Sequence, residues 1–222
     1  MIPPDLRVFQ RLGADADHRV AARALEEAGW QPCGTGDWAF VFRSPSGTRA
    51  ARLSPFDPCA PYTARFYREA ADTREVPRLD LERGLDGGAS LLVLEYFTPV
   101  AEPVARAFLA AVSDPGATTL GAILARVHAS ALRELPWCGP LDDNPANVMR
   151  AFDGRLVLTD PFFADGPRLY GSILTDAAAV ARSLPPDRRR HLLDIPLAGS
   201  GPWDEEIRAR MRRALADADR RR

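Results

Sequence analysis

The chain has 222 residues, 46% of them apolar and 27% charged, with a formal net charge of −1. That length supports one large domain or two small lobes sharing a cleft, and the near-neutral charge provides no global attraction to nucleic acid or to an anionic membrane. No stretch approaches about 18 consecutive apolar residues, so no transmembrane helix is expected. The first ten residues lack a basic stretch followed by an apolar one, which makes cytoplasmic residence the default expectation. Cys33, Cys59 and Cys138 are widely spaced and odd in number, which argues against a disulfide framework and against a zinc site. They read as reduced and mostly buried. All 29 basic side chains are Arg, and lysine is absent.

Along the chain, Asp15 or Asp17 can cap a helix whose apolar side is Val20, Ala24, Leu25 and Ala28, with Gly29 as its stop. Residues 39–42 and 49–53 are short apolar runs around Ser44-Pro45-Ser46-Gly47, which predicts a hairpin. Residues 54–61 carry three prolines and read as a loop, followed by a helix over 62–73. Residues 78–85 and 90–97 read as two strands joined at Asp86-Gly87-Gly88. The remainder is mostly helical: 104–112, then a helix capped by Thr118 or Thr119, one over 175–183, and one starting near Asp204. The exception is a hairpin formed by Val148-Met149 and Leu156-Val157-Leu158 about Asp153-Gly154. The expected fold class is α+β. It has a β-rich N-lobe over residues 1–97, a compact helical C-lobe over 98–222, and a hinge near 97–103.

The sharpest chemical signal is Asp142-Asp143-Asn144-Pro145-Ala146-Asn147, followed by an apolar strand ending at Asp160. Phosphoryl transfer needs a carboxylate near the attacking hydroxyl and oxygen ligands for magnesium. Asp142 can be that carboxylate, and Asn147 and Asp160 can hold the metal at the open ends of paired strands. Either piece alone reads as a surface turn or an ordinary strand end. Upstream, Gly34-Thr35-Gly36-Asp37-Trp38-Ala39-Phe40-Val41 is a loop whose glycines let backbone N–H groups approach phosphate oxygens. It is not a Walker A loop, because no Gly-Lys-Ser/Thr follows.

In these motifs the chain resembles the protein-kinase-like superfamily, especially aminoglycoside-phosphotransferase-type enzymes and small bacterial or phage kinase-like proteins. The spacing from Asp142 to Asn147 and the pair Asp160-Pro161 are similar to that group's catalytic loop and metal-binding segment. The resemblance implies ATP and Mg²⁺ as cofactors, Asp142 as the base, Asn147 and Asp160 as metal ligands, and Gly34 and Gly36 at the phosphates. It sets Arg52 where the family has a lysine, and that swap is not conservative. It names Glu69 as the partner of that basic residue, although an exposed helix acid reads the same way. It brings adenine to backbone groups near Glu95 to Phe97. His128 reads as structural, and His18 and His191 have no partner that the sequence names. The chain departs from the family in having Pro140 where a loop histidine is frequent and in having only about 60 residues after Asp160. An ATP-dependent phosphotransferase acting on an unidentified hydroxyl acceptor, such as a small molecule, is the first expectation. A nucleotide-binding pseudokinase serving as a binding module is the second. Neither nucleic acid nor membrane is expected as a partner, and the sequence leaves the oligomeric state open.

Overall fold

The computed structural model describes residues 3–201 and 203–221; positions 1, 2, 202 and 222 of the two expected lobes lie outside the described residues. A short helix α1 (Arg7–Gln10) precedes α2 (His18–Glu27), which Asp17 caps by accepting from the N–H groups of Arg19 and Val20, both at 2.9 Å. The helix buries His18, Ala21 and Leu25. The expected face differs, because Val20 is 40% exposed and Ala28 lies at the surface. The helix is rolled so that its first residue, His18, turns inward.

Five strands follow: β1 (Gln31–Thr35), β2 (Phe40–Arg43), β3 (Arg49–Ser54), β4 (Leu79–Gly84) and β5 (Ser90–Glu95). They form one antiparallel sheet in the order β1-β2-β3-β5-β4. Strand β1 was not expected, since Pro32 and Gly34 weaken a strand; it is an edge strand with a register shift between those two residues, where both are tolerated. Strand β5 is buried on both faces, as its unbroken run Leu91-Leu92-Val93-Leu94 dictates. Leu91 and Val93 join Ala51, Leu53 and Leu25 in the core under α2, while Leu92 and Leu94 face the opposite core. Burying each such side chain contributes roughly 1.5–3 kcal/mol.

Helix α3 (Ala60–Glu69) crosses that second face and sets Phe66 and Tyr67 beside Leu92. It begins before the expected Tyr62, because the Asp57 carboxylate accepts from the Cys59 N–H at 2.8 Å and so initiates the turn. After the sheet come β6 (Thr98–Pro99), α4 (Glu102–Ser113), α5 (Thr119–Glu134), β7 (Cys138–Leu141), β8 (Val148–Arg150), β9 (Leu156–Leu158) and β10 (Phe162–Ala164). Thr118 caps α5 through the Gly121 N–H at 2.9 Å. Strand β8 pairs with both β6 and β9, and β7 pairs with β10.

The end of the chain forms α6 (Gly166–Thr175), α7 (Ala177–Ser183), α8 (Pro186–Arg189) and α9 (Glu205–Arg220). Helix α6 was not expected, and the helix expected from Thr175 begins at Ala177, under an Asp176 cap. Leu169, Ile173, Val180, Met211 and Leu215 form a third core here. Residues 190–200 then leave α8 and run back along the sheet lobe as a strap. Arg190 pairs with Asp86, Arg19 Nη2 lies 2.8 Å from Asp194 Oδ2, and the Leu197 N–H donates to the Asp37 carbonyl at 3.1 Å. Gly88, at φ +85°, permits the contact: a Cβ there would overlap the Arg188 backbone. The architecture is α+β, a β-rich lobe followed by a helical one. Among the described residues, no helix is long and apolar enough to cross a membrane.

Candidate functional site

Strand β3 alternates, so Ala51 and Leu53 face the core under α2 while Arg52, paired in register with Leu92, faces the helical lobe. Only 13% of the Arg52 side chain is exposed. Its Nη1 lies 2.9 Å from Asp57 Oδ2 and donates to Ser54 Oγ at 3.0 Å, and its Nη2 donates to Asp160 Oδ2 at 3.3 Å. Burial works against the charged guanidinium, but the carboxylates of Asp160 and Asp57 outweigh it and hold its pKa above the ordinary arginine value.

Two small antiparallel pairs bring the acidic motif to this cation. Val157 and Leu158 of β9 are buried, which carries the chain to Asp160 at the strand's end. The Thr159 N–H and hydroxyl both donate to the Asn147 carbonyl, at 2.8 and 3.0 Å, so Asn147 and Asp160 are fastened side by side. Opposite, Leu141 pairs with Phe162, and the Asp142 N–H donates to the Pro161 carbonyl at 2.9 Å. Gly154, at φ +87°, makes the turn between β8 and β9. Tyr67 of α3 donates its hydroxyl to the Thr159 carbonyl, which ties the second core to the same corner.

The corner carries an excess of negative charge. Although 37% of the Asp160 side chain is exposed to the cleft, burial pushes its pKa up to about 6. Arg52 opposes that rise, and the neighbouring Asp57 and Asp142 carboxylates add to it. The Asn147 amide nitrogen is buried without a hydrogen-bond partner. A half-turn of that amide exchanges its nitrogen for its oxygen, which suits a cation. A carboxylate with a raised pKa, an unpartnered amide and a second carboxylate nearby fit magnesium, which takes oxygen ligands.

Above the corner lies a cavity of about 390 Å³. Its lining includes Gly34, Gly36, Arg52, Phe97, Asn147 and Asp160, so six of the sequence-predicted residues meet in one space. The glycine-rich loop is the tight end of the β1–β2 hairpin, with the Gly36 N–H donating to the Ala39 carbonyl at 2.9 Å. Neither Gly34 nor Gly36 has a positive φ, and a Cβ on either would approach no other residue closer than 3.6 Å. The fold therefore does not require glycine there; a side chain would only take room from the cavity. Asp142 borders the acidic corner, with its Oδ1 accepting from the Asn144 N–H at 3.0 Å.

One expectation is corrected. Glu69 does not pair with Arg52. At the end of α3 its carboxylate accepts from Arg65 at 2.6 Å and from Arg126 at 2.7 Å. The buried partner is Asp57, whose side chain is 4% exposed. Proximity to β3 decides this, since the loop leaving the strand reaches the guanidinium that α3 does not. The Glu95 carboxylate turns away from the cavity, accepts from the Arg78 N–H at 2.9 Å and pairs with Arg155. Its neighbours Leu94, Tyr96 and Phe97 line the cavity instead. His128 Nε2–H donates to the Gly139 carbonyl at 2.9 Å, and the ring stacks on Phe162. Cys59 and Cys138 are buried, but Cys33 is exposed on β1 and lines the cavity.

The loop also has a contact that local sequence does not indicate. The Asp37 carboxylate accepts from the N–H groups of Gly199 and Ser200, at 2.5 and 3.0 Å, and from the Ser200 hydroxyl. Against the upward pull of burial, those bonds hold its pKa below the ordinary value. Beside it, Trp38 packs between Phe56 and Tyr170.

No protein-family profile and no curated sequence matches the chain. Among solved structures it is similar to the M. tuberculosis PknI kinase domain, at 18% identity over 85% of this chain and 87% of that one, with a TM-score of 0.33. It is similar to the aminoglycoside phosphotransferase APH(3'')-Id from Streptomyces rimosus, at 18% identity over 91% and 97% of the two chains, with a TM-score of 0.35. A third is the bifunctional kinase-methyltransferase WbdD, at 10% identity over 80% of this chain and 47% of that one, with a TM-score of 0.29. The likeness is one of fold, and it is to a protein kinase domain, an aminoglycoside phosphotransferase and a kinase-methyltransferase.

Proposed function

We propose that the chain is an ATP-dependent phosphotransferase that transfers the γ-phosphoryl group to a hydroxyl acceptor, with the lobe boundary at Phe97. The supporting observation is the convergence of Arg52, Asn147 and Asp160 on one cavity roofed by Gly34 and Gly36. Leu94, Tyr96 and Phe97 provide an apolar slot for the base, and backbone groups of residues 95–97 serve its polar edge. Gly34 and Gly36 leave room for the phosphates, and Arg52 contributes positive charge beside them, aimed by Asp57. Asn147 and Asp160 hold magnesium, which when bound neutralises charge on the phosphates. Asp142 orients the acceptor hydroxyl and takes its proton as that oxygen bonds to the γ-phosphorus and the bond from the γ-phosphorus to the β,γ-bridging oxygen breaks, releasing ADP.

A second reading, a nucleotide-binding pseudokinase, draws support from Arg52 itself. Its guanidinium is already engaged by two carboxylates and a hydroxyl. The two readings separate in one experiment. The wild type and Asp142→Asn are titrated with ATP and Mg²⁺, and transfer from γ-labelled ATP is followed against a panel of hydroxyl acceptors. The enzyme reading expects ATP affinity to change by less than about 1 kcal/mol while turnover falls roughly 10²-fold or more. Binding without turnover in the wild type favours the pseudokinase. Binding that ignores Mg²⁺ overturns the site.

A further inference from the structure

The strap meets α2 at a cluster that the cleft does not use. The ligand-capable atoms of Asp17, His18 and His191 all lie within 4.8 Å of one another. Both imidazoles are 6% exposed, and their rings stand edge to face at 4.7 Å. Asp194 orients them. His191 Nδ1 lies 3.1 Å from Asp194 Oδ2, and His18 Nε2 lies 3.7 Å from the same oxygen. With those nitrogens turned to a carboxylate, the other two, His18 Nδ1 and His191 Nε2, are buried with no hydrogen-bond partner. Folded chains seldom leave a buried polar atom unsatisfied, and here two lie beside each other and next to a carboxylate. Asp17 spends Oδ1 on the α2 cap, which leaves Oδ2 facing only Arg19 Nη1, at 4.0 Å.

We propose that Asp17, His18 and His191 form a binding site for a divalent transition cation of the zinc type, which fastens the strap to α2. Two imidazoles and one carboxylate, with Asp194 hydrogen-bonded to His191 and 3.7 Å from His18, suit Zn²⁺, with water as the fourth ligand. The donor set differs from the all-oxygen corner in the cleft, which suits Mg²⁺. Zinc bonds to nitrogen and oxygen are about 2.0–2.2 Å, so each ligand atom moves inward by less than about 1 Å.

The test uses the full chain, stripped with EDTA and then titrated with Zn²⁺ or Co²⁺. One equivalent binds, Co²⁺ gives the visible absorption of a four-coordinate site, and Zn²⁺ raises the melting temperature by mass action. His18→Gln and His191→Gln abolish all three responses. Asp194→Asn, which touches no metal, weakens Zn²⁺ affinity by about tenfold or more. Asp160→Ala, in the cleft, leaves Zn²⁺ binding intact, so failure of the phosphotransfer reading is independent of this one. Absence of stoichiometric binding to the folded wild type overturns the proposal. So does binding that survives both histidine variants, or that is lost in Cys33→Ser. If the histidine variants do not fold, Asp194→Asn decides: an unchanged affinity overturns the site.

Discussion

Replacing Asp160 by Asn removes a charge that the folded chain holds at a cost. In the fold its carboxyl keeps its proton up to about pH 6, against 3.8 for the ordinary group. That difference corresponds to roughly 3 kcal/mol if nothing screens it. With 37% of the side chain open to the cleft, water screens much of that, and about 1 kcal/mol is the working figure. Because the folded pKa lies above the unfolded one, the wild-type contribution is fully present below about pH 3.8 and is lost as the pH rises through 6. Asp160→Asn should therefore melt about 2–4 °C above the wild type at pH 7.5, without nucleotide or metal. The gap should shrink through pH 6 and nearly vanish by pH 4. Arg52 keeps Asp57 at 2.9 Å in the variant, so it is not left unpaired. Circular-dichroism melts across that range are the assay. A variant that melts well below the wild type at pH 7.5 would show that the Arg52–Asp160 pair outweighs the crowding of carboxylates, and would refute the reasoning. With MgATP present the order should reverse, since only the wild type gains from the ligand.

Three further outcomes can be checked on the same preparation. Asp57→Asn removes the 2.9 Å partner of a guanidinium only 13% exposed and should cost on the order of 3 kcal/mol by chemical denaturation, whereas Glu69→Gln should leave stability and ATP affinity unchanged. Gly36→Ala should fold with wild-type stability, because its Cβ meets nothing nearer than 4.0 Å in the chain, and yet lose ATP affinity in calorimetry. Cys33 should be alkylated before Cys59 and Cys138, slowly because burial raises its thiol pKa, and peptide mapping should show MgATP protecting it.

The sequence displayed the acidic corner well because its parts are local. Asp142 to Asn147 is one loop, and Asp160 ends an apolar strand whose turn, Asp153-Gly154, is marked by its own residues. The hairpin of β2 and β3 and the buried run of β5 were legible for the same reason. What escaped depends on distance along the chain or on an overlooked punctuation mark. Asp57 and Glu69 look alike as acids; only packing shows which one reaches Arg52. Strand β1 was hidden by Pro32 and Gly34, which an edge position excuses. Helix α6 did have a signal in Asp165-Gly166-Pro167, since Asp165 caps it through the Arg168 N–H and proline occupies the first turn. The strap has no periodicity of its own, so nothing local relates His191 to His18.

The bond between Asp37 and Ser200 spans 163 positions. A chain emerging from the ribosome has made its whole sheet and its acidic corner long before the anchor of its glycine-rich loop exists. Until then Leu197, which adopts a left-handed backbone at φ +54° to reach the Asp37 carbonyl, has not yet been added. The cleft is thus finished from its back to its mouth, in the order of synthesis. A ribosome stalled before residue 197 would hold a sheet with every strand present and a loop still free, and protease cutting within 35–39 would report the moment of closure.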